Sequence, residues 1–258
     1  MALTSGYSIA LPVFSAVPAP GEAYKIEGEV CGSAFALGDE YMLTARHVLL
    51  EASAGEHQMV VGLQAPDGFF KAARVVEAEP LHSDIAILRV EFVVAGSDKW
   101  FNRFKWREAP VEPFEPVRVV GYGYGIHRVD DRQSLVVRGF QGHVVSRLNE
   151  FKPVGWTGPA FPAYELSFSA PRGLSGAPLL NSQGTVFVHG VVIGNSESRM
   201  LVFRSEERVH EGTTATTVEQ YEALTLGIAV EASTVLAQRS ALLGKSIREH
   251  LVDHALLG

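Results

Sequence analysis

The chain has 258 residues and a formal net charge of −7, enough for one large domain or two small ones, and a poor match for a phosphate-binding surface. Hydrophobic residues make up 47% and charged residues 20%, a balance that excludes a disordered chain. Cys31 is the only cysteine, so no intramolecular disulfide can form. That points to a reducing, cytoplasmic setting, and no run of about eighteen apolar residues offers a membrane span.

Ile9 to Val17 is apolar but broken by Pro12, and the first basic residue is Lys25. A secretory signal needs a positive start ahead of an unbroken apolar stretch, so residues 1–27 read as an N-terminal arm lying across the domain. Short β-type runs follow at Val30 to Leu37, Tyr41 to Thr44, Met59 to Leu63, Ala73 to Glu77 and Ile85 to Glu91. Gly96, Pro110, Pro113 and Pro116 then interrupt the pattern, and residues 96–116 read as a connector. Further runs lie at Val117 to Gly121, Leu135 to Arg138, Gly142 to Leu148, Tyr164 to Phe168, Thr185 to Ile193, Met200 to Phe203 and Leu224 to Val230. Many short strands with turn residues between them, and no helical pattern separating them, predict an all-β protein. Residues 28–95 and 117–230 form two β-barrels in this reading. Leu243, Ile247, Leu251 and Ala255 recur every four residues, which predicts an amphipathic α-helix within 231–258 that Gly244 bends or splits.

Three segments carry chemistry, in the order His, Asp, Ser: Thr44-Ala45-Arg46-His47-Val48, His82-Ser83-Asp84-Ile85-Ala86 and Pro171-Arg172-Gly173-Leu174-Ser175-Gly176-Ala177-Pro178. A serine hydroxyl is a weak nucleophile until a base takes its proton and a third group fixes the tautomer of that base. His47 follows a strand-like run, and Asp84 directly precedes another. Gly173 before the nucleophile lets the backbone turn so that the N–H groups of Gly173 and Ser175 converge on a developing oxyanion. Alone, each histidine or aspartate is most often structural, and a Gly-x-Ser-Gly turn is also a plain hairpin connection. Together, in order and on an all-β background, they argue for covalent acyl transfer.

With Cys31-Gly32-Ser33-Ala34-Phe35, Val120-Gly121-Tyr122-Gly123 and Gly190-Val191-Val192-Ile193-Gly194 added, the chain resembles the trypsin/chymotrypsin-fold serine peptidases over roughly Gly28 to Val230. It is nearer the disulfide-free bacterial members than the secreted digestive ones. The resemblance implies two six-stranded antiparallel barrels with the cleft between them, His47 as base, Asp84 as orienter and Ser175 as nucleophile. It also implies a specificity pocket with Ser169 at its base, Val192, Ile193, Gly194 and Asn195 along one wall, and Gly227 on the far wall. No charged residue stands at the base, so the expected P1 side chain is apolar or small.

Three departures from the family pattern matter. Val48 stands where secreted relatives carry a cysteine, which leaves Cys31 a free buried thiol. Leu174 replaces the aspartate that pairs with a freshly cut N-terminus in zymogen-activated members, so the oxyanion loop forms intrinsically or with a protein activator. Ile193 replaces a serine that supports the aspartate in many relatives.

The expected function is an intracellular serine endopeptidase acting on a protein or peptide. The alternatives are a latent peptide-binding module of the same fold and an esterase using the same triad. The aromatic and basic run Asp98 to Arg107 reads as a packed connector rather than a nucleic-acid surface. One cysteine and scattered histidines supply no metal-ligand spacing, and no cofactor is expected. His189 is expected to point away from the pocket.

Overall fold

The computed structural model describes residues 8–19, 23–65, 70–92, 96, 99–129, 132–208 and 215–258. Six strands close the first barrel: β1 (Leu11–Ala19), β2 (Ala23–Gly38), β3 (Tyr41–Ala45), β4 (Gln58–Gln64), β5 (Phe70–Pro80) and β6 (Ile85–Glu91), in the order β1-β2-β3-β6-β5-β4. β1 closes it, pairing with β2 on one side and with β4 on the other. The expected N-terminal arm is therefore a barrel strand. Its apolar residues Leu11, Val13 and Phe14 are buried and Pro12 is accommodated within the strand. The apolar run has a structural use, because a barrel without β1 would expose two sheet edges.

The second barrel uses β8 (Pro116–Gly121), β11 (Arg138–Phe151), β12 (Phe161–Leu166), β13 (Pro178–Asn181), β14 (Phe187–Arg208) and β15 (Ala215–Glu231). β13 pairs with β8 on one side and β14 on the other, which completes a ring of six. The short strand β7 (Lys105–Trp106) adds in parallel to the start of β14. A separate hairpin, β9 (Ile126–Val129) with β10 (Arg132–Leu135), leaves the barrel after β8; the run expected at Leu135 to Arg138 spans only its end and the beginning of β11.

The connector packs across the barrels. Trp106 is fully buried against Phe35 (ring centroids 5.8 Å apart), Phe101 and Phe104 are buried, and Arg103 lies over the Phe101 ring. The predicted C-terminal helix is broken in two. A short helix α2 (Ala232–Leu236) follows β15 directly; a two-residue hairpin, β16 (Arg239–Ser240) with β17 (Lys245–Ser246), turns at Gly244 with φ +66; and α3 (Ile247–Asp253) completes the chain. The split has a local cause, since Ser246 and Glu249 form a reciprocal capping box that starts α3 there. Among the described residues no helix is long and apolar enough to cross a membrane.

Candidate active site

The register of the first barrel brings the first two site residues together. Ala45, the last residue of β3, pairs with Ile85, the first of β6, so Arg46-His47 and Ser83-Asp84 leave the barrel at the same mouth. The ladder continues one step beyond the strands, the Arg46 N–H donating to the Asp84 carbonyl at 2.8 Å. His47 lies in the first turn of the short helix α1 (Arg46–Ala52), whose Val48, Leu49 and Ala52 anchor it to the barrel. Ser83 and Asp84 both take left-handed backbone angles, φ +60 and +58. That conformation costs about 1–2 kcal/mol for each non-glycine residue and turns the Asp84 carboxylate back over α1.

Asp84 Oδ1 accepts the His47 backbone N–H at 3.1 Å, and Oδ2 lies 2.7 Å from His47 Nδ1. With Nδ1–H donating to the carboxylate, Nε2 is the acceptor. Asp84 is buried and the His47 side chain is 42% exposed, so the ring is held from behind and open in front. Ile193, where many relatives have a supporting serine, is buried and offers no hydroxyl. Support for the carboxylate comes from the His47 backbone instead.

The serine segment crosses from the second barrel to the first. The Ser175 carbonyl accepts from Ser33 N at 2.7 Å, and the Ser33 carbonyl accepts from Thr44 Oγ1 at 2.7 Å. A Cβ on Gly176 (φ +87) would fall on the Ser33 carbonyl and 3.0 Å from Ala45 N. This close approach is why a glycine follows the serine: it lets the Ser175 turn lie against the strand ends that carry His47.

Upstream, Pro171 to Leu174 is a turn closed by Leu174 N–H donating to the Pro171 carbonyl at 3.0 Å, with Gly173 at φ +91. A positive φ at the third position defines a type II turn, and the carbonyls of both its central residues are pinned. The Arg172 carbonyl accepts from Tyr124 N at 2.8 Å, and the Gly173 carbonyl accepts from Ser33 Oγ at 2.8 Å. The Leu174 and Gly176 N–H groups are used by Pro171 and Val192. Among the described residues, the N–H groups of Gly173 and Ser175 donate to no protein acceptor. Two free amides on one turn, flanking the serine, are what an oxyanion site requires.

Residues 32–188 match the family model for the trypsin-like peptidase domain. The chain belongs to the trypsin-like peptidase family. Among solved structures, this family member resembles an HtrA-type protease, AlgW, bound to a decapeptide (TM-score 0.55, 15% identity, covering 88% of this chain and 61% of that one). It also resembles neuropsin, a serine protease expressed in the limbic system of mouse brain (TM-score 0.51, 11% identity, covering 89% of this chain and 92% of that one). The chain thus spans less than two thirds of the AlgW chain. No curated protein matches the sequence.

The expected pocket residues fall into place unevenly for a trypsin-like peptidase. Asn195 and Gly227 face each other across the β14–β15 ladder. The segment Phe168 to Ala170 is laced to both: the Gly227 N–H donates to the Phe168 carbonyl at 2.8 Å, Asn195 Oδ1 accepts from Ala170 N at 2.6 Å, and Asn195 Nδ2 donates to the Ala170 carbonyl at 2.9 Å. Ser169, expected at the base of the pocket, is instead exposed. Val192 has no exposed surface and belongs to the second-barrel core beside Ala170, so it forms part of the wall behind the slot and not a contact surface. Gly194 takes φ +146 where β14 slips register against β15. Asn195, read from sequence as a backbone partner for substrate, also bridges the two walls with its side chain.

Two further points concern the first barrel. Val48 packs against Gly32: a Cβ on Gly32 would lie 2.7 Å from Val48 Cγ1 and 2.9 Å from the Ser175 carbonyl. The expectation for Cys31 holds: it is free and buried, and burial followed by the charge of Glu51 pushes its thiol pKa up. Ser33 carried no assigned role in the sequence, yet its hydroxyl holds both Gly173 and Tyr122. A buried hydroxyl amid Cys31, Gly32, Ala34 and Phe35 was the available signal. Elsewhere, the loop after β11 reaches the site through Trp156, whose ring lies under the Arg46 guanidinium (5.4 Å to the ring centroid). His189 is buried in the second barrel, where desolvation and then Arg107 push its pKa down, and it takes no part in the cleft.

Proposed function

We propose that this trypsin-like peptidase is a catalytically competent serine endopeptidase, with Ser175 as nucleophile, His47 as general base and acid, and Asp84 as orienting carboxylate. The observation that carries the reading is the pairing of a His47 Nδ1–Asp84 contact of 2.7 Å with a serine turn whose Gly173 and Ser175 amides have no protein acceptor. His47 Nε2 takes the Ser175 Oγ proton as the hydroxyl attacks the peptide carbonyl. The oxyanion accepts hydrogen bonds from the Gly173 and Ser175 amides, and Asp84 stabilises the imidazolium. The imidazolium then protonates the leaving amine, the acyl-enzyme forms on Ser175, and water activated by His47 hydrolyses it.

The pinned Arg172 and Gly173 carbonyls support a turn that is competent without a liberated N-terminus, in keeping with Leu174. Small P1 residues fit the site best, because the Asn195 side chain spans the slot between its walls. A free, buried Cys31 suits a reducing compartment. The deciding experiment is labelling of the purified chain with a fluorophosphonate probe, followed by mapping of the modified residue. Labelling at Ser175 is expected, and an intact folded chain that never labels would refute the reading.

A further inference from the structure

β14 and β15 do not stop at the barrel. Their ladder runs from Asn195↔Gly227 out to Arg208↔Ala215, and over this stretch β14 has β15 as its only ladder neighbour among the described residues. The ribbon extends about 40 Å at the usual rise of a strand. A two-stranded ribbon alone in water is marginal, and this one is rich in exposed apolar side chains: Met200, Phe203, Val218, Tyr221 and Leu224 among them.

Register arranges these residues. Met200 pairs with Glu222, but the slip after Leu201 makes Phe203 pair with Gln220, two residues on along β15. Strand alternation would place Met200 and Phe203 on opposite faces; the bulge brings them to the same one. Leu224 and Val218 share that face, being at even spacing along β15 from Glu222 and Gln220. So does Ile228, which lies in the core cluster that contains the first barrel. A stripe of these apolar residues, interrupted by Glu222 and Gln220, therefore continues outward from the sheet face on which Ile228 joins the core shared with the first barrel.

The open edge of β14 begins beside the nucleophile. Val192 exchanges hydrogen bonds with Gly176 and Ala177, and past it no described strand covers that side. A chain added antiparallel to β14 runs inward, toward Ser175, so the part lying on the ribbon is N-terminal to the bond being cut.

We propose that the β14–β15 ribbon is an extended substrate exosite, on which some eight or more residues N-terminal to the scissile bond add as a β-strand with apolar side chains against the Met200–Phe203 stripe. This rests on the serine peptidase reading. It makes the preferred substrate class long, unfolded, apolar segments rather than short peptides.

The test uses β-casein, a disordered protein, and a peptide spanning the first bond cut in it with four residues on each side. That peptide is compared with versions extended by eight residues at the N-terminus or at the C-terminus. The wild-type chain is set against a variant in which residues 199–223 are replaced by Asn-Gly, a two-residue hairpin turn. A second, Met200→Asp with Phe203→Asp, alters exposed positions only.

N-terminal extension should raise kcat/KM at least tenfold for the wild type and less than twofold for the shortened chain. The double variant should lose at least fivefold of the gain, with all three labelling by fluorophosphonate at rates within twofold. An equal gain in the shortened chain, or a gain from C-terminal extension, overturns the proposal. So does ribbon-dependent self-association in light scattering with no effect of peptide length, which would make the stripe a contact between copies. A wild-type chain that labels but shows no length effect sinks the exosite and leaves the peptidase reading standing. A chain that neither labels nor cuts casein sinks both.

Discussion

Ser33→Ala is the most informative single substitution outside the proposed triad. The Ser33 side chain is fully buried; its Oγ donates to the Gly173 carbonyl at 2.8 Å and accepts from Tyr122 N at 3.1 Å. Alanine fits the same space, so the change removes two hydrogen bonds with little loss of packing. It strands one buried carbonyl and one buried N–H, each costing about 1–3 kcal/mol, or about 2–6 kcal/mol together. For a chain of this size that corresponds to a fall in Tm of roughly 4–24 °C. The catalytic consequence is separate. With its Gly173 carbonyl released, the Gly173–Leu174 peptide is free to turn while Tyr124 still holds the Arg172 carbonyl, and that turn shifts the Gly173 and Ser175 amides relative to each other. Losing such a donor outright costs about 10²–10³ in rate, so partial loss should slow fluorophosphonate labelling by about tenfold or more. Calorimetry and labelling kinetics on the same preparation give both readings. A Tm within 2 °C of wild type together with an unchanged labelling rate would refute the view that Ser33 fixes the turn.

Ser175→Ala and His47→Ala should each lower turnover by at least about 10³-fold without changing Tm by more than a few degrees, and the double variant should lose little more than either alone, because the groups act as a unit; additive losses in casein cleavage would contradict the assignment. Starting the chain at Lys25 removes β1 and with it buried Ile9, Leu11, Val13 and Phe14. At about 1.5–3 kcal/mol per side chain this approaches the whole stability of a domain, so circular dichroism should show loss of cooperative unfolding, and labelling should vanish rather than rise.

The contact between α3 and the first barrel should weaken in acid. Burial, then the neighbouring His254, pushes the His250 pKa down to about 4 from 6.5. A depressed histidine favours folding above its unfolded pKa, and that stability is lost as pH falls from about 6.5 toward 4, on the order of 2–3 kcal/mol. His254 works in the opposite sense: its hydrogen bonds to the His250 carbonyl and to Asp39 raise its pKa, so its contribution is lost as pH rises. His250→Phe should therefore flatten the fall in Tm between pH 6.5 and 4, and an unaltered slope would count against it. Dithiothreitol should leave Tm unchanged, since Cys31 is free and buried; a sharp drop would reveal an intermolecular disulfide.

Much of this protein was legible in the sequence because the signals were local. Alternation of apolar residues marks a strand wherever that strand ends up, and Gly173 and Gly176 announce a turn that needs positive φ. The order of His47, Asp84 and Ser175 was readable because each lies beside a recognisable strand or turn. What tertiary structure alone decided is which strands neighbour one another and where each side chain lands across a junction. β1 read as an arm because an apolar run does not say which two edges it will close. Ser33 looked ordinary until the second barrel placed the Gly173 carbonyl above it, and Asn195 until Ala170 lay across from it. The bulge that gathers Met200 and Phe203 on one face exists only in the pairing of β14 with β15. Local propensity resides in a chain's own residues, whereas partners distant in sequence are chosen by closure, register and burial together, and those are properties of the assembled barrels.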